Sequence, residues 1–509
     1  DEGGRWFLNN AAGQLLMSWD TRRALKRYEY DQMLRRVAAF ERASLAPDEQ
    51  CTERLTFAGN TAQDMAKNRC ARLIRHDDPA GTVHIDRYAL SGQALVERRF
   101  FLESPARAHS LPSVCERDLL LGQEGYTTSW KYDALGTMTG QTDAKNNQQL
   151  TRYAIDGLLL ESTLTLHGGE HQVLVDRRIY NASAQVESEH LGNDVVAVAR
   201  YSLLDGRLER LKSYRAGEYS APLQDLNYEY DCVGNVTQVS DLSQPEQWSS
   251  NTRISAVNTY KYDSLYQLIS ATGRENKSNS PGPGLPGLIT FASKDDSVWR
   301  NYTQAYTYDE GGNLTVLKHL VSVGQGYTRT LDVSQNSNHG LLHEVDLPAP
   351  VAPGLGNGFD LNGNQQVLVR GQTLNWNVAN QLSGVTLVSR ENGINDEEVY
   401  AYDGAGRRVR KVRTTHASGR SHTMEVLYLP GLEVRHNTTT GEYLNVISAQ
   451  GGSSQVRVLQ WDAGRPPEIP DKQIRFSLSD HLGSSTLELN GQAELLTQES
   501  YYPYGATAW

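Results

Sequence analysis

The chain has 509 residues, of which 38% are hydrophobic, with 44 glycines, 17 prolines, 26 tyrosines and 8 phenylalanines. That is little purely apolar material for one large compact core, so small units or a thin layer wetted on both faces are expected. A net charge of −11 argues against a nucleic-acid binder, and no stretch reaches the roughly 18 apolar residues of a membrane span.

The N-terminus, DEGGRWFLNN, has neither an initiator methionine nor a basic-then-apolar signal. The sequence is therefore expected to start inside a longer protein. AAGQLLMSWD at 11–20 reads as a turn followed by a strand. RYEYDQMLRRVAAFERA at 27–43 has helical propensity, but its alternation and its Tyr30-Asp31 pair favour strand. Four cysteines, at 51, 70, 115 and 232, lie too far apart for a disulfide framework or a C-x-x-C metal site and read as separate thiols.

Four copies of one phrase then appear: Tyr132-Asp133 with Gly136, Tyr230-Asp231 with Gly234, Tyr308-Asp309 with Gly312, and Tyr402-Asp403 with Gly406. Looser copies stand at Tyr262-Asp263, with Tyr266 in the glycine place, at Phe359-Asp360 with Gly363, and at Asp480 with Gly483. LSGQALVERR at 90–99, IDGLLLESTL at 155–164 and LNGQAELLTQES at 489–500 keep the turn and the following strand. The spacing is irregular, which excludes a fixed-period solenoid. The residues before each Asp alternate, as in LNYEYD at 226–231, and alternation resumes after the Gly. Period two is the strand signal. Asp caps its own backbone two residues on, and Gly supplies the positive φ of a tight connection. Each copy is therefore expected to be the corner of a β-hairpin, with Tyr packing across to neighbouring strands.

His167-Gly-Gly-Glu170-His171 matches the inverted zinc-peptidase pattern. Two central glycines disfavour the helix that pattern needs, and the surroundings read as strand, turn, strand. Segments 272–300 and 346–358, rich in Ser, Pro and Gly, are expected to be loops. The basic run from Arg407 to Arg413 puts Arg408, Arg410 and Val412 on one strand face and is expected to be a solvated surface. Each turn aspartate is expected to cap its turn rather than serve acid–base chemistry. There is no G-x-S-x-G elbow, P-loop or paired-carboxylate signature. No catalytic, cofactor or metal residue is assigned.

The Y-D-x-x-G-N-V/L-T pattern at 230–237 and 308–315 resembles the YD, or RHS, repeat. Asp480-His-Leu-Gly483-Ser, followed by Tyr502-Pro503-Tyr504-Gly505, resembles the lead-in to the RHS-associated core. With YTYDEGGNL at 306–314, NTYKYDSLYQLISATGRE at 258–275, TERLTFAGNT at 52–61 and QVRVLQWDAG at 455–464, the whole chain is similar to the C component of bacterial Tc (ABC) insecticidal toxin complexes. The resemblance implies an all-β fold of YD-repeat antiparallel hairpins wound as a spiral sheet, part of a large hollow shell. It implies one continuous shell region over 1–509, with a loop insertion near 272–300 and 476–509 leading into the core. It also implies a B component as shell partner, an encapsulated C-terminal effector, delivery through a pore-forming A component, and secretion as a toxin complex. The family's aspartyl autoprotease and toxin would lie beyond Trp509, so no catalytic residue is carried over. Two other classes remain: an RHS effector of a type VI or contact-dependent system that forms its own shell, and a carbohydrate-binding YD-repeat protein.

Overall fold

The computed structural model describes the chain except residues 1–2, 45, 105–113, 250, 279–297, 344–357, 369–371, 392 and 418. Strands make up 58% and helix 2%. A first sheet of 24 strands runs from Arg5–Asn9 to Gly340–Leu342, and a second of 11 strands from Leu374–Trp376 to Leu495–Gln498. Each strand pairs antiparallel with the next in sequence, so both sheets are meanders. The hairpin of Gln247–Ser249 and Thr252–Ile254 stands outside this order, since Val236–Asp241 pairs directly with Val257–Tyr262.

The layer is thin. The chain exposes 27661 Å², against roughly 19,000 Å² for a compact monomer of its mass. The low apolar content and the abundance of tyrosine fit a sheet wetted on both faces. The main buried apolar cluster lies where the two sheets meet and draws on both, from Phe101, Leu164, Leu174 and Val195 to Val434, Ile447, Val456 and Phe476.

A meander has two rims, and every second turn falls on the same one. In the first sheet, strands ending in tyrosine all run toward one rim, among them Leu25–Tyr30, Leu121–Tyr132, Gln224–Tyr230, Val257–Tyr262 and Trp299–Tyr308. We call it the motif rim. The opposite, plain rim carries the turns around Arg22, Pro79, Asn146, Gly168 and Asn193.

The expected strands over 27–43 are present as Leu25–Tyr30 and Arg36–Arg42. Cys51, Cys70 and Cys232 are free thiols; the side chain of Cys115 lies outside the described residues. The loop expected over 272–300 needs correction at both ends. Leu268–Asn276 continues as strand and Trp299–Tyr308 resumes it, pairing from Asn276–Trp299 inward, because Glu275 and Arg300 are buried in an ionic cluster and Arg274 is buried against Trp299 and Trp509. The interior of that loop, 279–297, lies outside the described residues, as do residues 346–357 of the second expected loop. One short helix, Ala62–Ala66, has a capping box between Thr61 and Asp64.

Candidate functional site: the repeat corners, the seam and the C-terminal anchor

Each repeat corner is built by local chemistry. Asp133 Oδ1 accepts from the amides of Leu135 (2.9 Å) and Thr137 (2.8 Å). Asp231 Oδ1 accepts from Val233, Gly234 and Asn235, and Asn235 Nδ2 donates to Oδ2 at 2.8 Å. Asp263, Asp309, Asp403 and Asp480 repeat the arrangement. Hydrogen bonds led by the Asn side chain hold the Asp231 and Asp309 carboxyls below the usual range. Gly136, Gly234, Gly312, Gly406 and Gly483 all have φ between +80° and +107°, and Tyr266 takes the same place at +62°. The pairing register slips just before the motif tyrosine, as at Glu229/Tyr230 and Thr307/Tyr308, which is the bulge such a turn requires.

The tyrosines do a second job. Tyr30, Tyr88, Tyr180, Tyr201, Tyr230, Tyr262, Tyr308 and Tyr402 each donate their hydroxyl to the carbonyl of the first residue of the preceding strand: Leu15, Leu73, Leu159, Val186, Leu208, Val236, Leu268 and Leu382. Those two strands are joined by a turn at the far rim. At the motif rim nothing covalent joins them, and the tyrosine laces one hairpin to the next. Tyr132 holds the equivalent strand-end position, and burial pushes its hydroxyl pKa up.

The second sheet lies along the plain rim of the first and tracks it in the same direction. Arg22 donates to Asp360 (3.2 Å) and to the Asn377 carbonyl (3.1 Å). Further along, Gly404 N–H points at Asp78, and Arg410 donates to the Leu102 carbonyl. Ser453 N–H donates to Glu189, Asn193 to the Asn490 carbonyl, and Gln224 to Thr486. The Asp403 corner fits tightly: a Cβ on Gly404 would fall 2.2 Å from the His76 ring. Beneath it, Asp77 and Asp78 are both 1% exposed. Arg75 and Thr82 satisfy Asp77, and Arg99 bonds both oxygens of Asp78 at 2.8 Å. Burial pushes the Arg117 guanidinium down, and it donates to the Asp78 and Gly81 carbonyls.

The basic run is therefore not wholly a solvated face. Arg408 is exposed and stacks on Tyr400 and Tyr428, but Arg410 is buried against Glu425 and Leu102 at the seam, and Val412 is buried too.

The C-terminal phrase is an anchor. Tyr502, Pro503, Tyr504 and Gly505 form one turn, with Gly505 N–H donating to the Tyr502 carbonyl and φ of +86° at Gly505. Proline suits its second position. The turn presses Tyr502 into the strands Leu268–Asn276 and Trp299–Tyr308. Tyr502 packs edge-on to Tyr302 at 4.9 Å and donates its hydroxyl to Glu275. Glu275 is fully buried and also takes Arg300 Nε at 2.6 Å and the His319 ring at 3.1 Å. Burial pushes its carboxyl up, but the hydrogen bonds from His319 and Tyr502 outweigh this and hold it below the usual range. Tyr504 meets Tyr308 hydroxyl to hydroxyl at 2.5 Å. Arg274 lies between Trp299 and Trp509, 4.7 and 5.4 Å from their rings, and burial lowers it to about 10. An open cleft of about 180 Å³ runs beside the anchor past Asp480 and His481, and another of about 630 Å³ follows the seam past Arg36, Glu53 and Asp403.

Among the described residues no group of three or more His, Cys, Asp or Glu side chains is placed to hold a metal. His167 and His171 flank a hairpin turn in which Gly168 and Gly169 have φ of +99° and +90°, a geometry incompatible with the helical zinc motif. Sequence reasoning missed Asp77, Asp78, Glu275, Arg300 and His319, because their partners lie on other strands. Among the described residues no helix is long and apolar enough to cross a membrane.

No family model matches the chain. It is 37% identical over 474 residues to the toxin subunit YenC2 of Yersinia entomophaga, covering 90% of this chain and 48% of that protein. It is 33% identical over 519 residues to YenC1 of the same organism, covering all of this chain and 53% of that one. The chain thus spans about half the length of the curated relatives it matches. Among solved structures, it superposes on the TcdB2–TccC3 complex with a TM-score of 0.92 at 36% identity, all of this chain matching 25% of that one. It superposes on the Photorhabdus luminescens Tc holotoxin pore with a TM-score of 0.89 at the same identity, covering 24% of that chain.

Proposed function

This chain belongs to the C-subunit family of the Tc toxins, and on that premise we propose that it builds part of the wall of a hollow shell. The observation that supports this reading best is the taper of the winding. The second sheet meets the first from Arg22, at the Asn377 carbonyl, to Gln224, at Thr486, and the segments flanking it carry the contact on from Asp20 to Tyr302 and Tyr308, nearly the whole run. It does so with 11 strands against 24. At about 4.8 Å per strand that is roughly 53 Å of sheet laid along 115 Å. A sheet that spirals while it narrows forms a dome. Its layer is one sheet thick and wet on both faces, and stacked windings hide rims and edges that would otherwise invite aggregation.

In this reading the shell is completed by a B-type subunit and encloses a C-terminal effector of the parent protein. A pore-forming A-type subunit then delivers the cargo from a secreted complex. The residues of this chain act structurally: corners set the hairpins, tyrosines lace them, and the seam and the Tyr502 anchor fix one winding on the next. Protease protection tests it. The full-length parent assembled with its B-type subunit should keep its C-terminal segment intact under proteolysis that degrades that segment in the free parent. Equal degradation in both would contradict the reading.

A further inference from the structure

Arg274 is a buried charge without an ionic partner among the described residues. It is 5% exposed. Its Nη2 donates to Gln244 Oε1 at 3.2 Å, while its Nη1 is buried and bonds nothing among the described residues. Trp299 and Trp509 hold the guanidinium between their rings, and the Asp241 carboxylate acts on it only at a distance. Buried guanidinium groups are nearly always paired, and this one lines the cleft beside the Tyr502 anchor. Gln224 lines the same cleft and is 3% exposed. Its Nε2 donates to Thr486 Oγ1 at 2.6 Å, which leaves Oε1 as a buried acceptor with no donor among the described residues. Two orphaned groups of opposite kind at one cleft call for a ligand that accepts at one point and donates at another.

Charge narrows the class. The lining holds one guanidinium and three carboxylates, those of Asp241, Asp480 and Glu499. Burial pushes the His481 pKa down, so its ring is uncharged at neutral pH. A multiply charged anion is repelled by this set, and a plain cation leaves Arg274 unpaired. One carboxylate and one ammonium on the same molecule satisfy both demands. The cleft, about 180 Å³, is smaller than the roughly 300–1,000 Å³ of sites for drug-sized ligands. Leu226, Val239 and Leu487 give it an apolar wall. We propose that this cleft binds a free α-amino acid with a small aliphatic side chain. Its carboxylate takes Arg274 Nη1, its ammonium donates to Gln224 Oε1 in the field of the three carboxylates, and its side chain lies on the apolar wall. Tyr502, Pro503 and Gly505 also line the cleft, so the bound amino acid fastens the C-terminal turn to the first sheet. The site stands independently of the shell reading.

The test uses the full-length parent protein. Isothermal titration calorimetry compares L-valine with valinamide, which lacks the carboxylate, and with N-acetylvaline, which lacks the ammonium. L-Valine should bind, and each analogue should bind about tenfold or more weakly, as the loss of one charge-assisted bond requires. Arg274→Met should weaken L-valine by a similar factor. L-Valine should also slow hydrogen exchange at 500–508 in the wild type, because it binds the closed turn. No binding of L-valine would overturn the proposal. Equal binding of valinamide would overturn the pairing with Arg274, and this comparison decides even where Arg274→Met does not fold. Binding that leaves exchange at 500–508 unchanged would place the ligand elsewhere and overturn the site.

Discussion

Tyr502→Phe isolates the central bond of the C-terminal anchor. The substitution keeps the ring and its contact with Tyr302 at 4.9 Å, and removes the hydroxyl that donates to the buried Glu275 carboxylate. Arg300 and His319 still hold Glu275, so the loss is one charge-assisted bond, worth about 1.5–3 kcal/mol. In a protein of this size that shifts global melting little. It should instead appear as local opening of 500–508, where the Ser500, Tyr502 and Ala508 amides bond Trp509, Ala506 and Ser500. Hydrogen exchange at those amides should speed up by roughly 10- to 150-fold. Tyr504→Phe is the control, because that side chain is 58% exposed and its hydroxyl bond competes with water; it should change exchange far less. Unchanged exchange in Tyr502→Phe would refute the anchor. The pH sign follows from Glu275. Its carboxyl is held low, so its contribution is complete above the unfolded value of about 4.3 and is lost as pH falls through the folded value. Protection at 500–508, corrected for the intrinsic exchange rate at each pH, should therefore fall on acidification, and a segment that loosens as pH rises would contradict the assignment.

Other consequences are as concrete. Tyr266→Gly should stabilise the Val257–Asn276 hairpin by about 1 kcal/mol, since Tyr266 sits at φ +62° and a side chain there costs about that much; denaturant unfolding showing a loss would refute the strain. Gly404→Ala should cost about 1–3 kcal/mol through crowding against His76, whereas Gly393→Ala, whose Cβ would make ordinary contact with Arg390 at 3.6 Å, should be neutral; equal effects in melting would count against a tight seam. Asp396 bonds Arg390 and the His416 N–H, which lowers its carboxyl to about 2. Its contribution should persist above the unfolded value near 4 and vanish as pH falls through about 2, and a carboxyl NMR titration with an ordinary midpoint would refute the pairing.

The corners were legible because their chemistry closes within five residues. Asp133, Asp231 and Asp309 cap their own backbones, and a glycine three residues on takes the positive φ, so composition alone points to the turn. The target of the tyrosine was not legible. Tyr230 reaches Leu208 and Tyr308 reaches Leu268, and the distance varies with strand and loop length while the spatial relation stays fixed. The seam was invisible for a stronger reason: Gly404 meets Asp78 and Tyr502 meets Glu275 across 326 and 227 residues. That also explains two misreadings. Arg274 and Glu275 looked like the start of a polar loop, and Arg410 like a solvated strand residue, because polar residues signal exposure unless their buried partners are known. The capping box at Thr61 and Asp64 could have been found by its spacing.

The central claim is that this chain winds as a narrowing wall around a cavity. Cryo-electron microscopy of the full-length parent co-expressed with its B-type subunit tests it most directly. A closed hollow particle, with the 24-strand winding of this chain surmounted by its 11-strand winding, is the predicted result. A solid globule, or an open sheet enclosing no volume, would contradict the account.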